Sequence, residues 1–218
     1  MDTEAVPVPI GCDKLTYMCG RFERSSSVEI IIRDSRINRA SLEIAPSYNI
    51  APSQDVLIIR VDDKGERQLE ACKWGFLPFW AKEPTMDHKM INARAETIAT
   101  KPAFRSAFKK HRCLVVADGF YEWQKKEKSK VPFYIHLKSG KPFGFAGLFS
   151  YWSLEKDAEG ICTCTIITTD ANELLEPIHD RMPVIVPKAR KIYGLIRQLR
   201  SKIPCRNCSS HIPRKKWK

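Results

Sequence analysis

Residues 56–74 read VLIIRVDDKGERQLEACKW and predict a β-hairpin. Val56–Val61 is rich in β-branched and other apolar residues, which favours a strand. Asp62–Gly65 supplies turn residues, and the chain then enters a second predicted strand at Leu69–Trp74. Because the two strands are joined by a short turn, they are expected to pair antiparallel.

The rest of the chain extends this pattern. Further strands are predicted at Cys113–Trp123, Phe133–Leu137, Phe143–Phe149, Ile161–Thr168 and Val184–Val186, and Lys125–Lys130 is predicted as a solvated hairpin turn. Short helices are predicted at Val28–Ile32, around Phe104 and Phe108, and from Asp170 to a stop at Pro177, whereas residues 46–54 predict an extended loop. By period-two alternation, Glu122 shares a face with Phe120 and Asp118. The prediction is an α+β fold built mostly on antiparallel sheet.

Charge and composition narrow the function classes. The chain has 218 residues and a formal charge of +12, but residues 188–218 hold 11 of the 37 basic residues and no acidic one, which leaves 26 basic against 25 acidic residues elsewhere. The charge alone therefore indicates no nucleic-acid groove in the body of the chain. No apolar run reaches the roughly 18 residues of a membrane span, and the acidic start argues against a signal peptide. Eight cysteines are accordingly expected to be thiols in a reducing compartment.

Cys19 follows an internal methionine, Met18. A cysteine at a free N-terminus carries an amine and a thiol on adjacent carbons, and this pair can close a five-membered thiazolidine ring on an aldehyde. The amine, with a pKa of about 7.7–8.0, is partly unprotonated and nucleophilic near pH 7, whereas a peptide nitrogen is not nucleophilic. The seventeen residues before Met18 block this chemistry unless the chain starts at Met18 or is cut before Cys19. Residues 1–17 are predicted to be disordered or absent from the mature protein.

Six short motifs together resemble the SRAP family, the SOS-response-associated peptidase family of abasic-site processing proteins. In the family's order they are Met18–Phe22, Tyr48–Pro52, Trp74–Pro78, Ile91–Thr97, Ala117–Trp123 and His179–Pro183. The resemblance covers about 165 residues and implies a β-rich SRAP-type fold with a barrel-like core, a few flanking helices and a narrow groove for single-stranded DNA. It divides the chain into an extension (1–17), an SRAP-like domain (18–187) and a basic C-terminal tail (188–218) that is atypical for the family.

The resemblance also implies roles for individual residues. Cys19 would capture the ring-opened aldehyde of an abasic site in a thiazolidine crosslink, Asn92 would hold the amine and sugar, Glu122 would shuttle protons, and His179 would assist ring opening and reversal. Arg21, Arg94 and Arg181 match positions that bind backbone phosphates, for which the planar fork of arginine is suited. Trp80 would wedge beside the lesion, although the tryptophans at 74, 80 and 123 fit a core role equally well. No metal or organic cofactor is implied, and the expected partner is single-stranded DNA containing abasic sites, bound by a monomer.

Cys205, Cys208 and His211 offer three zinc ligands where a structural site needs four, so no metal is assigned.

Two features limit the transfer of the family's function to this chain. The first is that residues before Cys19 block its amine. The second is that the helix and the final strand with which the family normally ends are not recognisable after the His179 motif.

Three functions therefore remain open. The first is an abasic-site sensor and crosslinker, acting in the cytoplasm at the nucleoid in a prokaryote or in the nucleus in a eukaryote, and not secreted. The second is a thiol peptidase, limited to self-processing, with Cys19 as nucleophile and His179 as base. The third is a non-enzymatic nucleic-acid binder that uses the basic tail.

Overall fold

The computed structural model describes residues 3–7, 19–37, 42, 44–83, 90–127, 129–154 and 160–186. The strands are β1 (Thr3–Pro7), β2 (Arg21–Arg24), β3 (Ser47–Ile50), β4 (Asp55–Val61), β5 (Arg67–Trp74), β6 (Asn92–Arg94), β7 (Arg112–Ala117), β8 (Gly119–Lys126), β9 (Ser129–Leu137), β10 (Phe143–Trp152), β11 (Ile161–Asp170), β12 (Arg181–Pro183) and β13 (Ile185–Val186). The helices are α1 (Val28–Ser35) and α2 (Arg105–Lys110). The α+β class is confirmed, and no helix in the described ranges is long and apolar enough to cross a membrane.

The strands form two sheets. The smaller has the order β1-β9-β8-β2-β3, and all its pairs are antiparallel. In the larger sheet β11, β5, β4, β7 and β10 pair in that order, and β10 pairs with β11 again, so these five strands close into a ring. This closed ring agrees with the barrel-like core that the family resemblance implied.

Strands of the larger sheet are apolar on both faces because both faces are covered. In β7, Cys113 and Val115 join one core cluster together with Phe22 and Phe120 of the smaller sheet. Their neighbour Leu114 joins a second cluster, under the two helices. The continuous apolar runs of the sequence therefore reflect burial on both sides rather than a half-exposed sheet.

The predicted strand Cys113–Trp123 is two strands that belong to different sheets. The break falls at Asp118, whose carboxylate accepts hydrogen bonds from the Ser26 backbone N–H (2.8 Å) and from the Ser26 hydroxyl (2.5 Å). β7 ends just before this residue in the larger sheet, and β8 starts just after it in the smaller one. As predicted, Phe120 and Glu122 of β8 share a buried face.

Several local predictions are confirmed and others are wrong. α1 begins after Ser27, whose side chain accepts a hydrogen bond from the Ile30 N–H, as its sequence predicted. The predicted loop at 46–54 contains a strand, β3. The predicted helix after Asp170 is a series of turns. The Asn172 carbonyl accepts from the Leu175 and Glu176 N–H groups and its side chain accepts from the Leu175 N–H, but no α-helix follows before Pro177.

The expectation that the cysteines are thiols stays a prediction. Cys72 and Cys162 lie side by side on the neighbouring parallel strands β5 and β11, with Cα atoms 4.7 Å apart, a spacing within the range that a disulfide can span. Cys19, Cys113 and Cys164 are free thiols, all of them buried.

Within the extension the structure describes Thr3–Pro7, and this segment is ordered, while the prediction that residues 1–17 are absent from the mature protein stays a prediction. This segment is β1, which pairs residue by residue with β9 from Thr3 opposite Leu137 to Pro7 opposite Phe133. Thr3 is buried, and Ala5 packs against the main core cluster. The extension therefore supplies an edge strand of the smaller sheet. The predictions for residues 188–218, including the possible zinc ligands, lie outside the described residues.

The inward and outward faces of β1 give a stability prediction. Ala5→Glu places a charge against the core, whereas Val6→Glu places the same charge on the exposed face of the adjacent residue. We expect Ala5→Glu to detach β1 and to lower hydrogen-exchange protection of β9 amides by about tenfold or more. Val6→Glu serves as the control, and equal loss of protection in both variants would contradict the inward placement of Ala5.

Candidate active site

Glu122 is the centre of the site. It lies in β8 with its side chain turned to the interior, and it is only 3% exposed. Its Oε2 atom accepts a hydrogen bond from the Cys19 backbone N–H (2.9 Å) and a second from the Cys19 thiol (3.2 Å). One carboxylate oxygen therefore contacts both atoms that a terminal cysteine would use as nucleophiles.

The register of the smaller sheet brings Cys19 to Glu122. β2 pairs antiparallel with β8, with Arg21 opposite Tyr121 and Phe22 opposite Phe120. Cys19 precedes β2 by two residues and so meets the part of β8 that contains Glu122. It is 4% exposed and has a positive φ of 47°, a conformation that is costly for a residue other than glycine.

Burial shapes the acid–base properties of this pair. Burial raises the pKa of the Glu122 carboxyl, although the hydrogen bond from Cys19 and the charge of His179 oppose the rise. Burial, followed by the adjacent Glu122 charge, raises the pKa of the Cys19 thiol well above its usual value. The protonated thiol and a carboxyl with a raised pKa form a pair between which a proton can move.

His179 lies near enough to Glu122 for a protonated imidazole to lower the pKa of that carboxyl. The ring is held by its Nδ1 atom, which lies 2.7 Å from Asp180 Oδ1 and also 3.1 Å from the Arg181 backbone N–H. The two contacts need different protonation of Nδ1: a protonated Nδ1 donates to Asp180, whereas an unprotonated Nδ1 accepts from Arg181.

The remaining predicted residues lie in three places. Asn92 is half-buried in β6, which pairs in parallel with β11. Arg94, two residues further along β6, is exposed. Arg21 of β2 donates from a terminal guanidinium nitrogen to Oδ1 of Asn49 on the neighbouring strand β3 (3.1 Å), and this contact is exposed to solvent. Trp80 is 55% exposed, whereas Trp74 is fully buried and belongs to the core.

Arg181, which the resemblance assigns to a backbone phosphate, is bound by carboxylates of the chain itself in this structure. Its side chain is buried, and its two terminal nitrogens donate to both carboxylate oxygens of Glu96 at 2.9 Å. They also donate to Asp170 Oδ1 (2.5 Å) and to the Thr168 carbonyl (2.9 Å). Two carboxylates thus bind the guanidinium. Its positive charge partly opposes the burial that raises the pKa of the Cys19 thiol.

Sequence reasoning missed Glu96 and Asn49, although both lie inside the quoted motifs. Glu96 holds Arg181 in a bidentate pair, and Asn49 holds Arg21. Two signals were available in the sequence: Glu96 lies two residues after Arg94 in one motif, and Asn49 lies within the motif Tyr48–Pro52. No group of three or more His, Cys, Asp or Glu side chains that could hold a metal ion occurs among the residues that the structure describes.

Comparison with known proteins gives a consistent family match. The model of the family described as SOS response associated peptidase (SRAP) matches residues 18–201. The abasic site processing protein YoqW of Bacillus subtilis (strain 168) is 47% identical over 172 residues, covering 78% of this chain and 76% of the relative. The abasic site processing protein YedK of Escherichia coli (strain K12) is 34% identical over 181 residues, covering 80% of this chain and 78% of the relative.

A vertebrate relative and two solved structures match as well. The abasic site processing protein HMCES of Xenopus tropicalis is 35% identical over 169 residues, covering 65% of this chain and 50% of the relative. A crystal structure from Bacteroides thetaiotaomicron superposes with a TM-score of 0.71 at 26% identity, covering 84% of this chain and 81% of that one. The crystal structure of a phage-related protein from Bordetella bronchiseptica superposes with a TM-score of 0.62 at 29% identity, covering 82% of this chain and 88% of that one.

Proposed function

Because the chain belongs to the SOS response associated peptidase (SRAP) family, we propose that it processes abasic sites in DNA and does so through Cys19. The observation that carries the proposal is the contact of one Glu122 oxygen with both the nitrogen and the sulfur of Cys19. A thiazolidine forms from the same two atoms, and each step of its formation moves a proton. The names of the relatives, which are abasic site processing proteins, support the proposed substrate, and the geometry of the Cys19–Glu122 pair supports the proposed chemistry.

The proposed reaction needs a free amine on Cys19. The amine adds to the aldehyde carbon of the ring-opened sugar, and the resulting carbinolamine loses water to give an imine. The thiol then adds to the imine carbon and closes the thiazolidine, so the net reaction releases one water. Glu122 accepts protons from the nucleophiles and returns one to the departing hydroxyl, while His179 assists opening of the sugar ring.

The substrate is proposed to be single-stranded DNA bound by a monomer, with no metal or organic cofactor in the reaction. Arg21 and Arg94 are proposed to bind backbone phosphates, and Asn92 is proposed to hold the sugar and the amine. Trp80, in an exposed loop whose Ala81 carbonyl accepts from the Trp152 indole N–H (2.7 Å), is proposed to stack beside the lesion. The proposed place of action is at the DNA, whether in the nucleoid or in the nucleus.

A second candidate, self-processing, is favoured by the same Cys19 geometry. The thiol would attack the carbonyl carbon of Met18, Glu122 would pass the thiol proton to the Cys19 nitrogen, and the peptide bond would break to leave a thioester. Breaking the peptide bond would free the Cys19 amine, and water would then hydrolyse the thioester, which releases residues 1–18 and regenerates the thiol. The positive φ of Cys19 supports this candidate because backbone strain at the residue favours opening of the bond. Binding through the basic tail stays a prediction.

Intact mass spectrometry tests both proposals. The full chain is weighed alone and after incubation with a single-stranded oligonucleotide bearing one abasic site. We expect a chain that begins at Cys19 to gain the mass of the oligonucleotide minus one water. Spontaneous loss of residues 1–18 that Cys19→Ala abolishes would support self-processing. A chain that begins at Cys19 and gains no mass would overturn the crosslinking proposal.

A further inference from the structure

We propose that Tyr48 forms a base-stacking subsite for the nucleotide whose phosphate Arg21 binds; this inference rests on the proposed function. Single-stranded nucleic acid is commonly held by a cation for the phosphate and an aromatic face for the base. The ligand class is therefore a nucleobase of single-stranded DNA next to the lesion.

Exposure marks Tyr48 as unusual. Its side chain is 64% exposed, the largest value for any aromatic residue in the described ranges. It lies on a strand that is otherwise fixed in the sheet, since Ile50 of the same strand is buried and pairs with Phe22. An aromatic ring on an ordered strand offers a stacking face with little loss of conformational freedom on binding.

The backbone at Tyr48 is held independently of its ring. The Tyr121 hydroxyl donates to the Tyr48 carbonyl (2.9 Å), and this contact connects β3 to β8, the strand of Glu122. Because the hydrogen bond uses the backbone, it survives replacement of the Tyr48 side chain. The ring can therefore be removed without removing the contact that positions the strand.

The neighbouring residue connects Tyr48 to a phosphate site. Asn49 accepts a hydrogen bond from Arg21 (3.1 Å), so the guanidinium is held beside β3 at the residue next to Tyr48. Arg21 is in turn two residues from Cys19. A strand that enters the site past Arg21 therefore passes the exposed ring before or after its lesion reaches Cys19.

The test measures non-covalent binding of the full chain to single-stranded oligonucleotides by fluorescence anisotropy. Each oligonucleotide carries a tetrahydrofuran, an abasic analogue without an aldehyde, at a fixed position, and a second one is moved one nucleotide at a time. Tyr48→Ala removes the ring and Tyr48→Phe retains it. Leu154→Ala, which shortens a side chain that is 76% exposed in the β10–β11 connection, is the matched control.

We expect Tyr48→Ala to weaken binding about 5- to 100-fold, with Tyr48→Phe and Leu154→Ala close to the parent. The penalty of Tyr48→Ala should disappear with one oligonucleotide, the one in which the stacked base is already missing. Equal binding of Tyr48→Ala and the parent, or the same penalty at every position of the second analogue, would overturn the inference alone. Failure of the parent chain to bind the tetrahydrofuran oligonucleotide would also overturn the inference, whereas failure of a chain cut before Cys19 to crosslink an abasic oligonucleotide would overturn the proposed function together with it.

Discussion

A chain cut directly before Cys19 is expected to crosslink an abasic oligonucleotide to near completion, whereas the uncut chain is expected to form no thiazolidine. The Cys19 nitrogen of the uncut chain is a peptide nitrogen whose lone pair is delocalised, so it cannot form the imine. Cutting converts it into an amine that is partly unprotonated near neutral pH. The measurement uses a protease site placed so that cleavage leaves Cys19 first, and compares one preparation before and after cleavage by intact mass.

Two variants separate the roles of nitrogen and sulfur after the same cut. Cys19→Ala and Cys19→Ser both retain the terminal amine but lack the thiol, so each should give only an imine that borohydride reduction traps. The mass of every sample before DNA is added identifies its first residue and therefore detects self-processing. A stable crosslink to a chain that still begins at Met1 would contradict the requirement for a free terminus.

Glu122→Gln is expected to slow crosslinking by about 10²–10⁴-fold in the cut chain, the usual contribution of a positioned acid–base group. Glutamine keeps an oxygen that can accept from Cys19 but cannot move a proton. The rate is measured by quenching and gel separation of the DNA–protein product across a pH series. Glu127→Gln, the same change at an exposed position in the β8–β9 turn, is the control and should leave the rate unchanged.

In the uncut chain, where Glu122 accepts from the Cys19 peptide N–H and thiol, Glu122→Gln should be more stable than the parent at neutral pH. Folding raises the pKa of the Glu122 carboxyl through burial, so the folded chain holds that proton more tightly than the unfolded chain. The free energy of unfolding of the parent therefore falls as the pH rises from about 4.3, the ordinary pKa of glutamate, towards the raised value. Glutamine does not ionise, so its Tm advantage should grow between pH 4 and pH 7. A lower Tm for Glu122→Gln at pH 7 would contradict the pKa argument.

The Cys19–Glu122 pair was predictable in part from the sequence. Alternation along Phe120–Glu122 placed the carboxyl on the same face as an apolar side chain, and the family resemblance assigned roles to both Cys19 and Glu122, whereas the strand β2 that follows Cys19 was not predicted. Their contact was not predictable, because it depends on which strands pair. Strand pairing is a long-range property that local periodicity does not determine.

The features that the sequence did not reveal share this cause. The change of sheet at Asp118 depends on Ser26, which lies 92 residues earlier. The pairing of Arg181 with Glu96 joins two motifs that were read separately, and each motif alone suggests a solvent-exposed charge. Helix α1, in contrast, was predicted well because its cap, Ser27, is a local signal.

The extension also protects an edge of the smaller sheet, because strand β1 lies within it. β1 covers the outer edge of β9, so every chain that gains a free Cys19 and loses its leader also uncovers a row of backbone donors and acceptors. Such an edge is a template for sheet-to-sheet association between copies. The proposed loss of the extension would therefore exchange a closed sheet edge for a reactive amine, and the shortened chain should be less soluble than the full chain at the same protein concentration.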